Sequence, residues 1–167
     1  MLRVLIPGSF DPPTYGHLNL VERAARIYDE VDVVIAHNAL KAYTFTAEER
    51  TDMLRELFRE YSNVHVHVWE HLIVRLAEEL GARIMIRGVR ALDDFSYEFE
   101  LSMLNKGLNP DIETIFMPTD PQYFVLRSSS IKELVRLGGD VSGMVPPLVE
   151  KMLEKRIPVL GQIDPCT

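Results

Sequence analysis

The chain has 167 residues, 47% of them apolar and 26% charged, with a formal net charge of −7. That length suits one domain with a buried core, and the balance suits a globular protein rather than a disordered one. The acidic sign argues against sequence-independent binding to nucleic acid, and no apolar run approaches the roughly 20 residues a membrane helix needs.

Residues 2–6 read as a short buried strand, not as the long apolar segment of a secretion signal. Leu18, Val21, Ala25 and Tyr28 then recur at helical spacing, and residues 31–36 form a second buried run rich in β-branched side chains. Thr46 followed by Glu49 is a capping-box pattern, opening a helix carried by Met53, Leu54, Leu57, Phe58 and Tyr61. Residues 64–68 read as a third strand, 72–80 as a helix stopped by Gly81, and 84–86 as a fourth strand. A helix through Phe95, Phe99 and Met103 precedes a fifth strand at 114–117. Ser130 to Glu133 opens a further helix that Gly138 and Gly139 end, and Pro146 and Pro147 start a last one through Met152.

Strands alternating with helices predict an α/β fold, a single Rossmann-like doubly wound domain. Its sheet is expected to be mostly parallel and five-stranded, with helices on both faces. The domain is expected to span 1–157, with 158–167 a loose tail. Cys166 is the only cysteine, so neither a disulfide nor a cysteine metal site can form within one chain, which suits a reducing cytoplasm. In such sheets ligands sit beyond the carboxyl ends of the strands, so the loops that follow strands are the ones to read for chemistry.

The first of these, PGSFDPPTYGH from Pro7 to His17, combines a glycine for close backbone approach, two stiffening prolines and a histidine at a helix start. A histidine there can donate a hydrogen bond to phosphate oxygens gaining charge, although an isolated Gly-His pair is more often only a helix cap. No G-K-(S/T) follows, so this is not a Walker loop. Lys41 follows the second strand and is either solvated surface or a mobile charge for a phosphate. Arg87 and Arg90 flank Gly88 after the fourth strand, suited to forked phosphate contacts or to pairing with Asp93, Asp94 or Glu98. Ser128, Ser129 and Ser130 offer hydroxyls and free N–H groups at a helix start, or caps for it. His65, His67 and His71 lack a matching carboxylate or cysteine pattern, and a half-exposed strand face is the better reading than a metal site.

The first loop resembles the (H/T)xGH signature of the nucleotidyltransferase superfamily, with Thr14 and His17 as its polar ends. Over nearly the whole chain, from Val4 to about Leu153, the order of motifs resembles bacterial phosphopantetheine adenylyltransferases. The block IRGVRALDDFSYEFELSMLNKGLNP is its most discriminating part, joined by FTAEER, SSSIKELVRLGGDV and VPP.

The resemblance implies adenylyl transfer from ATP to 4′-phosphopantetheine, giving 3′-dephospho-coenzyme A. By the same likeness His17, Lys41 and Arg90 would serve the reaction. Ser9, Phe10, His17, Gly88, Arg90, Glu98, Phe124, Arg127, Ser128, Ser129 and Ser130 would contact ATP. Ser9, Lys41, Ile73 and Arg87 would hold the acceptor. Mg²⁺ carried by ATP, coenzyme A as a feedback ligand, a homohexamer and a cytoplasmic setting are further implications. Three features depart from the pattern: Ala39 before the lysine, Arg127 before the serines, and one extra residue between Met117 and Arg127. Transfer to another phosphorylated acceptor, such as nicotinamide mononucleotide or a polyol phosphate, and a non-catalytic nucleotide sensor are the alternatives.

Overall fold

A computed structural model describes residues 1–38 and 40–160. Ala39 and most of the expected tail, residues 161–167 with Cys166, lie outside the described residues. The elements run β1 (Arg3–Gly8), α1 (Tyr15–Ile27), β2 (Glu30–Ala36), α2 (Ala47–Leu57), β3 (Val64–Trp69) and α3 (Ile73–Leu80). They continue with β4 (Ile84–Val89), α4 (Leu92–Leu108), β5 (Glu113–Pro118), a short 3₁₀ turn (Pro121–Tyr123), α5 (Ser128–Arg136) and α6 (Pro147–Arg156).

The five strands form one parallel sheet in the order β3-β2-β1-β4-β5. Alternation along the strands sends side chains to two cores. Val4, Ile6, Val31, Val33, Ile35 and Ile86 meet Leu20, Val21 and Ala24 of α1 and Leu54 of α2. Leu5, Val34 and Met85 face the other way, onto Val74, Leu76 and Ala77 of α3 and Ile112. A third cluster joins Ile131, Val135, Val149 and Leu153 of α5 and α6 to Phe45 and Met53. Helices thus cover both faces, as the alternation predicts.

The chain turns back between β1 and β4, which makes this pair the switch point in strand order. Pairing there is confined to Val4 with Ile84 and Leu5 with Met85. Both strands run on, to Gly8 and to Val89, still held by their outer neighbours β2 and β5. They therefore part over their last residues and open a crevice at their carboxyl ends.

Three sequence expectations need correction. Arg87, Gly88 and Val89 belong to β4 rather than to a loop, because they pair with Phe116, Met117 and Pro118. Tyr61 lies beyond α2, which ends at Leu57, and Tyr61 stacks edge-on against Phe58 from a following turn. The serine helix begins at Ser128, not Ser130, so no serine caps it: the N-cap is Arg127, with no side-chain hydrogen bond.

Candidate active site

The loop after β1 is shaped around Phe10, whose φ of 48° lies in the left-handed region that a non-glycine residue rarely adopts. This turn folds the phenyl ring, 3% exposed, back over Gly8. A Cβ on Gly8 would sit 2.9 Å from Phe10 Cε2, so only glycine admits the ring there. The opposite constraint falls on His17, whose ring centroid is 5.1 Å from that of Phe10.

His17 occupies the third position of α1, where a capping box ordinarily carries Glu or Gln. Its backbone N–H donates to Thr14 Oγ1, and the Thr14 backbone N–H donates to His17 Nδ1 at 3.0 Å. A backbone amide can only donate, so Nδ1 is the acceptor and the ring hydrogen resides on Nε2. Burial, and then the neighbouring Arg90 charge, lower the imidazole pKa to about 4. Near neutral pH the ring is therefore an uncharged donor at the positive end of α1.

Across the crevice stand Arg87 of β4 and Arg90 of the turn between β4 and α4. Arg87 forks onto Glu98, with Nη2 at 2.7 Å from Oε1, and sends Nη1 to the Pro7 carbonyl at 2.6 Å. Arg90 bonds Asp94 at 2.9 Å and reaches the Leu126 carbonyl in the loop before α5. Both arginines thus pair with the acids of α4, and both also line the crevice. Gly88 keeps α1 close to β4: a Cβ there would be 3.1 Å from Leu20 Cδ2.

The third wall comes from α5. Ser128 donates to the Pro12 carbonyl at 2.9 Å, tying the serine run to the first loop. The uncapped start of this nine-residue helix leaves backbone N–H groups for an anion. The preceding turn is anchored on α1, where Asn19 and Arg23 both donate to Asp120 and the Tyr15 and Tyr123 rings stack at 6.4 Å.

Together these walls enclose a cleft of about 400 Å³. Of the sequence-predicted site residues, Ser9, Phe10, His17, Arg87, Gly88, Arg90, Glu98, Arg127, Ser128 and Ser129 line it. Lys41, Ile73, Phe124 and Ser130 do not. Lys41 is exposed on the loop after β2, its N–H bonded to the Asn38 carbonyl at 2.9 Å. Ile73 opens α3 and packs against the core, and Phe124 is 52% exposed. A second hollow of about 750 Å³ lies at the ends of β2 and β3, lined by His37, Asn38, Trp69, Leu72 and Arg75. It sits beside Ile73 and the Lys41 loop.

Sequence reasoning missed Asp11 and Arg50. Asp11, 7% exposed, accepts the N–H groups of Thr44 and Phe45 and pairs with Lys132 at 3.0 Å. Arg50 is fully buried and donates to the Ser9 carbonyl at 2.7 Å. Neither residue type signals burial in sequence; the only hint is that each lies inside a quoted motif.

The histidines of β3 face carboxylates of β2: His65 pairs with Glu30, and His67 with Asp32 at 2.7 Å, which Arg3 also grips. Among the described residues no group of three His, Cys, Asp or Glu side chains is placed to hold a metal ion.

The Cytidylyltransferase-like family profile matches residues 5–134. The chain is 46% identical over 156 residues to a phosphopantetheine adenylyltransferase of Desulforudis audaxviator, covering 93% of this chain and 96% of that one. It is 44% identical to the phosphopantetheine adenylyltransferase of Dictyoglomus turgidum over the same share, covering 98% of that protein. In fold it is similar to a putative nicotinate-nucleotide adenylyltransferase from Vibrio parahaemolyticus, with a TM-score of 0.65 at 17% identity, covering 92% of this chain and 99% of that one.

Proposed function

The chain belongs to the cytidylyltransferase-like family and, within it, to the phosphopantetheine adenylyltransferases, and from that premise we propose its reaction. ATP gives its adenylyl group to 4′-phosphopantetheine, forming 3′-dephospho-coenzyme A and pyrophosphate, a step of coenzyme A biosynthesis. A phosphate oxygen of the acceptor attacks the α-phosphorus in line. The bond from that phosphorus to the bridging oxygen of the β-phosphate breaks, and pyrophosphate leaves. The second pKa of a phosphate monoester is about 6, so the nucleophile is already ionised near neutrality and needs no general base.

The observation that carries this reading is the neutral His17, held by Thr14 and Phe10 with Nε2–H as its free donor, in a cleft shared with Arg90. A fixed neutral donor stabilises charge gathering on the α-phosphate without having to be deprotonated. Arg90 and the N-termini of α1 and α5 supply further positive potential for the triphosphate. Arg87, with Ser9 and Lys41, would take the acceptor phosphate, and Ile73 would flank its pantetheine arm. Gly88, Glu98, Phe124, Arg127 and the serines Ser128 to Ser130 would contact ATP. Lys41 is 5 positions before Thr46, the N-cap of α2, on a loop that must bring its ammonium inward when the acceptor binds.

The cleft's own carboxylates are engaged, Glu98 by Arg87 and Asp94 by Arg90. That donor set fits Mg²⁺ entering on the oxygens of ATP rather than in a protein cage, and bound there it would neutralise triphosphate charge. Coenzyme A, which carries the same pantetheine arm as the acceptor, would compete for the same cleft as a feedback ligand.

On α4, Leu92, Phe95, Phe99 and Met103 are exposed at helical spacing. Such a row supports burial between copies of this chain, in a homohexamer. Among the described residues no helix is long and apolar enough to cross a membrane, and a cytoplasmic setting, where ATP is abundant, belongs to the same proposal.

Incubation with ATP, Mg²⁺ and 4′-phosphopantetheine should release pyrophosphate and yield dephospho-coenzyme A by mass. Release with nicotinamide mononucleotide or a polyol phosphate instead would move the chain to another acceptor. ATP binding with no pyrophosphate from any acceptor would make it a sensor.

A further inference from the structure

Arg50 is a buried cation that the reaction outlined above leaves unused. It is 0% exposed, and Asp11, the acid whose charge it feels, is itself engaged by Lys132. A guanidinium is costly to bury and is held only where its donors are satisfied. Here Nη1 donates to the Ser9 carbonyl at 2.7 Å, Nε to the Thr46 carbonyl at 3.2 Å, and Nη2 to His37 Nδ1 at 3.0 Å. Its plane also lies over the Tyr43 ring, 4.1 Å from the centroid.

These partners belong to two different loops. Ser9 lies in the loop after β1, inside the cleft, whereas His37 and Tyr43 flank the loop after β2 that carries Lys41. The contacts continue along that loop. Tyr43 stacks on His37 at 5.1 Å and accepts the Asn38 N–H at its hydroxyl, and the Asn38 carbonyl accepts the Lys41 N–H at 2.9 Å. Accepting from Arg50 also leaves His37 Nδ1 without a hydrogen, which fixes the ring that Tyr43 stacks on. Asp11 ties the far end of the same loop through Thr44 and Phe45.

We propose that Arg50 is a positioning residue that clamps the Lys41 loop to the Ser9 carbonyl, setting the acceptor side of the cleft against the nucleotide side. Three directed bonds and a stacked ring are needed, so charge alone does not suffice. Lysine can keep the charge but neither the fork nor the stack. The first loop keeps its own supports, the Thr14–His17 capping box and the Phe10 ring, so losing Arg50 falls on residues 40–45.

The inference rests on the reaction proposed above, and its test separates the two. Arg50→Lys and Arg50→Gln are assayed with both substrates varied, and amide hydrogen exchange is followed across residues 40–45. Acceptor kcat/KM should fall roughly 10²-fold in both variants while the KM for ATP stays within about threefold, the mark of misplaced rather than missing groups. Exchange over 40–45 should quicken while the central strands keep parental protection. Tyr43→Leu, which keeps the guanidinium but loses the stack and the hydroxyl that accepts the Asn38 N–H, should show the same acceptor-selective loss at roughly a tenth of the size. Parental kinetics in Arg50→Lys, or losses shared equally by ATP and acceptor, would overturn the clamp. Should the Arg50 variants not fold, parental acceptor kinetics in Tyr43→Leu would overturn it equally. A parent enzyme that ignores 4′-phosphopantetheine would speak against the reaction, and exchange over 40–45 would still decide the clamp.

Discussion

The imidazole of His17 is held in one protonation state and one tautomer by its surroundings. An exposed histidine titrates near 6.5 and would exchange its role across the working pH range. Here burial and Arg90 take the pKa to about 4, and the Thr14 amide fixes the tautomer. Charging the ring would require an Nδ1 hydrogen facing the Thr14 N–H, two donors head to head. Nitrogen-15 NMR of the side chain should therefore find a single Nε2–H form between pH 8 and 5.5, with titration only near 4. A midpoint near 6.5 would return His17 to an ordinary surface cap. Any acid limb of activity near pH 6 should instead track the acceptor phosphate, whose second pKa is about 6.

Among the elements, the strands were legible and their ends were not. Apolar runs announce β1, β2 and the start of β4, which are buried on both faces, whereas the edge strand β3 is announced by its alternating valines and β5 by a short apolar stretch. The continuation of β4 through Arg87 and Gly88 is hidden, since an arginine and a glycine break the apolar run although the ladder with β5 persists. The loop after β1 could be read because its residues are contiguous. Arg50 could not, because Ser9, His37 and Tyr43 come together only in space. The polar row across β1, β2 and β3 was hidden for the same reason. Within it, burial would push the Asp32 carboxyl up, but the hydrogen bonds from Arg3 and His67 outweigh burial and hold its pKa at about 2. A carboxyl lowered from 3.8 contributes stability in full above 3.8 and loses it as pH falls toward 2. Asp32→Asn should cost on the order of 2 kcal/mol at pH 7. It should also flatten the fall of Tm between pH 4 and pH 2 in thermal melts. An unchanged acid slope would mean that the Arg3–Asp32–His67 row does not act as a linked unit.

At the scale of the whole molecule, the crevice and the apolar row of α4 lie on the same half of the sheet. Glu98 and Asp94 of this helix hold the cleft arginines, while Phe95, Phe99 and Met103 present an apolar row to solvent. Covering that row would fix the helix that orients Arg87 and Arg90, so assembly and catalysis should be coupled. Phe99→Asp, a charge on a ring that is 46% exposed, should split the proposed homohexamer in sedimentation and lower activity with it. A variant that stays assembled at parental activity would remove α4 from the interface.

The proposed role of His17 at the α-phosphate is tested most directly by comparing the parent with His17→Ala, measuring the rate of dephospho-coenzyme A formation alongside the affinity for ATP. Losing a fixed donor to the developing charge should lower kcat by roughly 10²- to 10³-fold while ATP affinity stays within about threefold. Equal turnover, or a loss of ATP affinity as large as the loss of rate, would contradict the account.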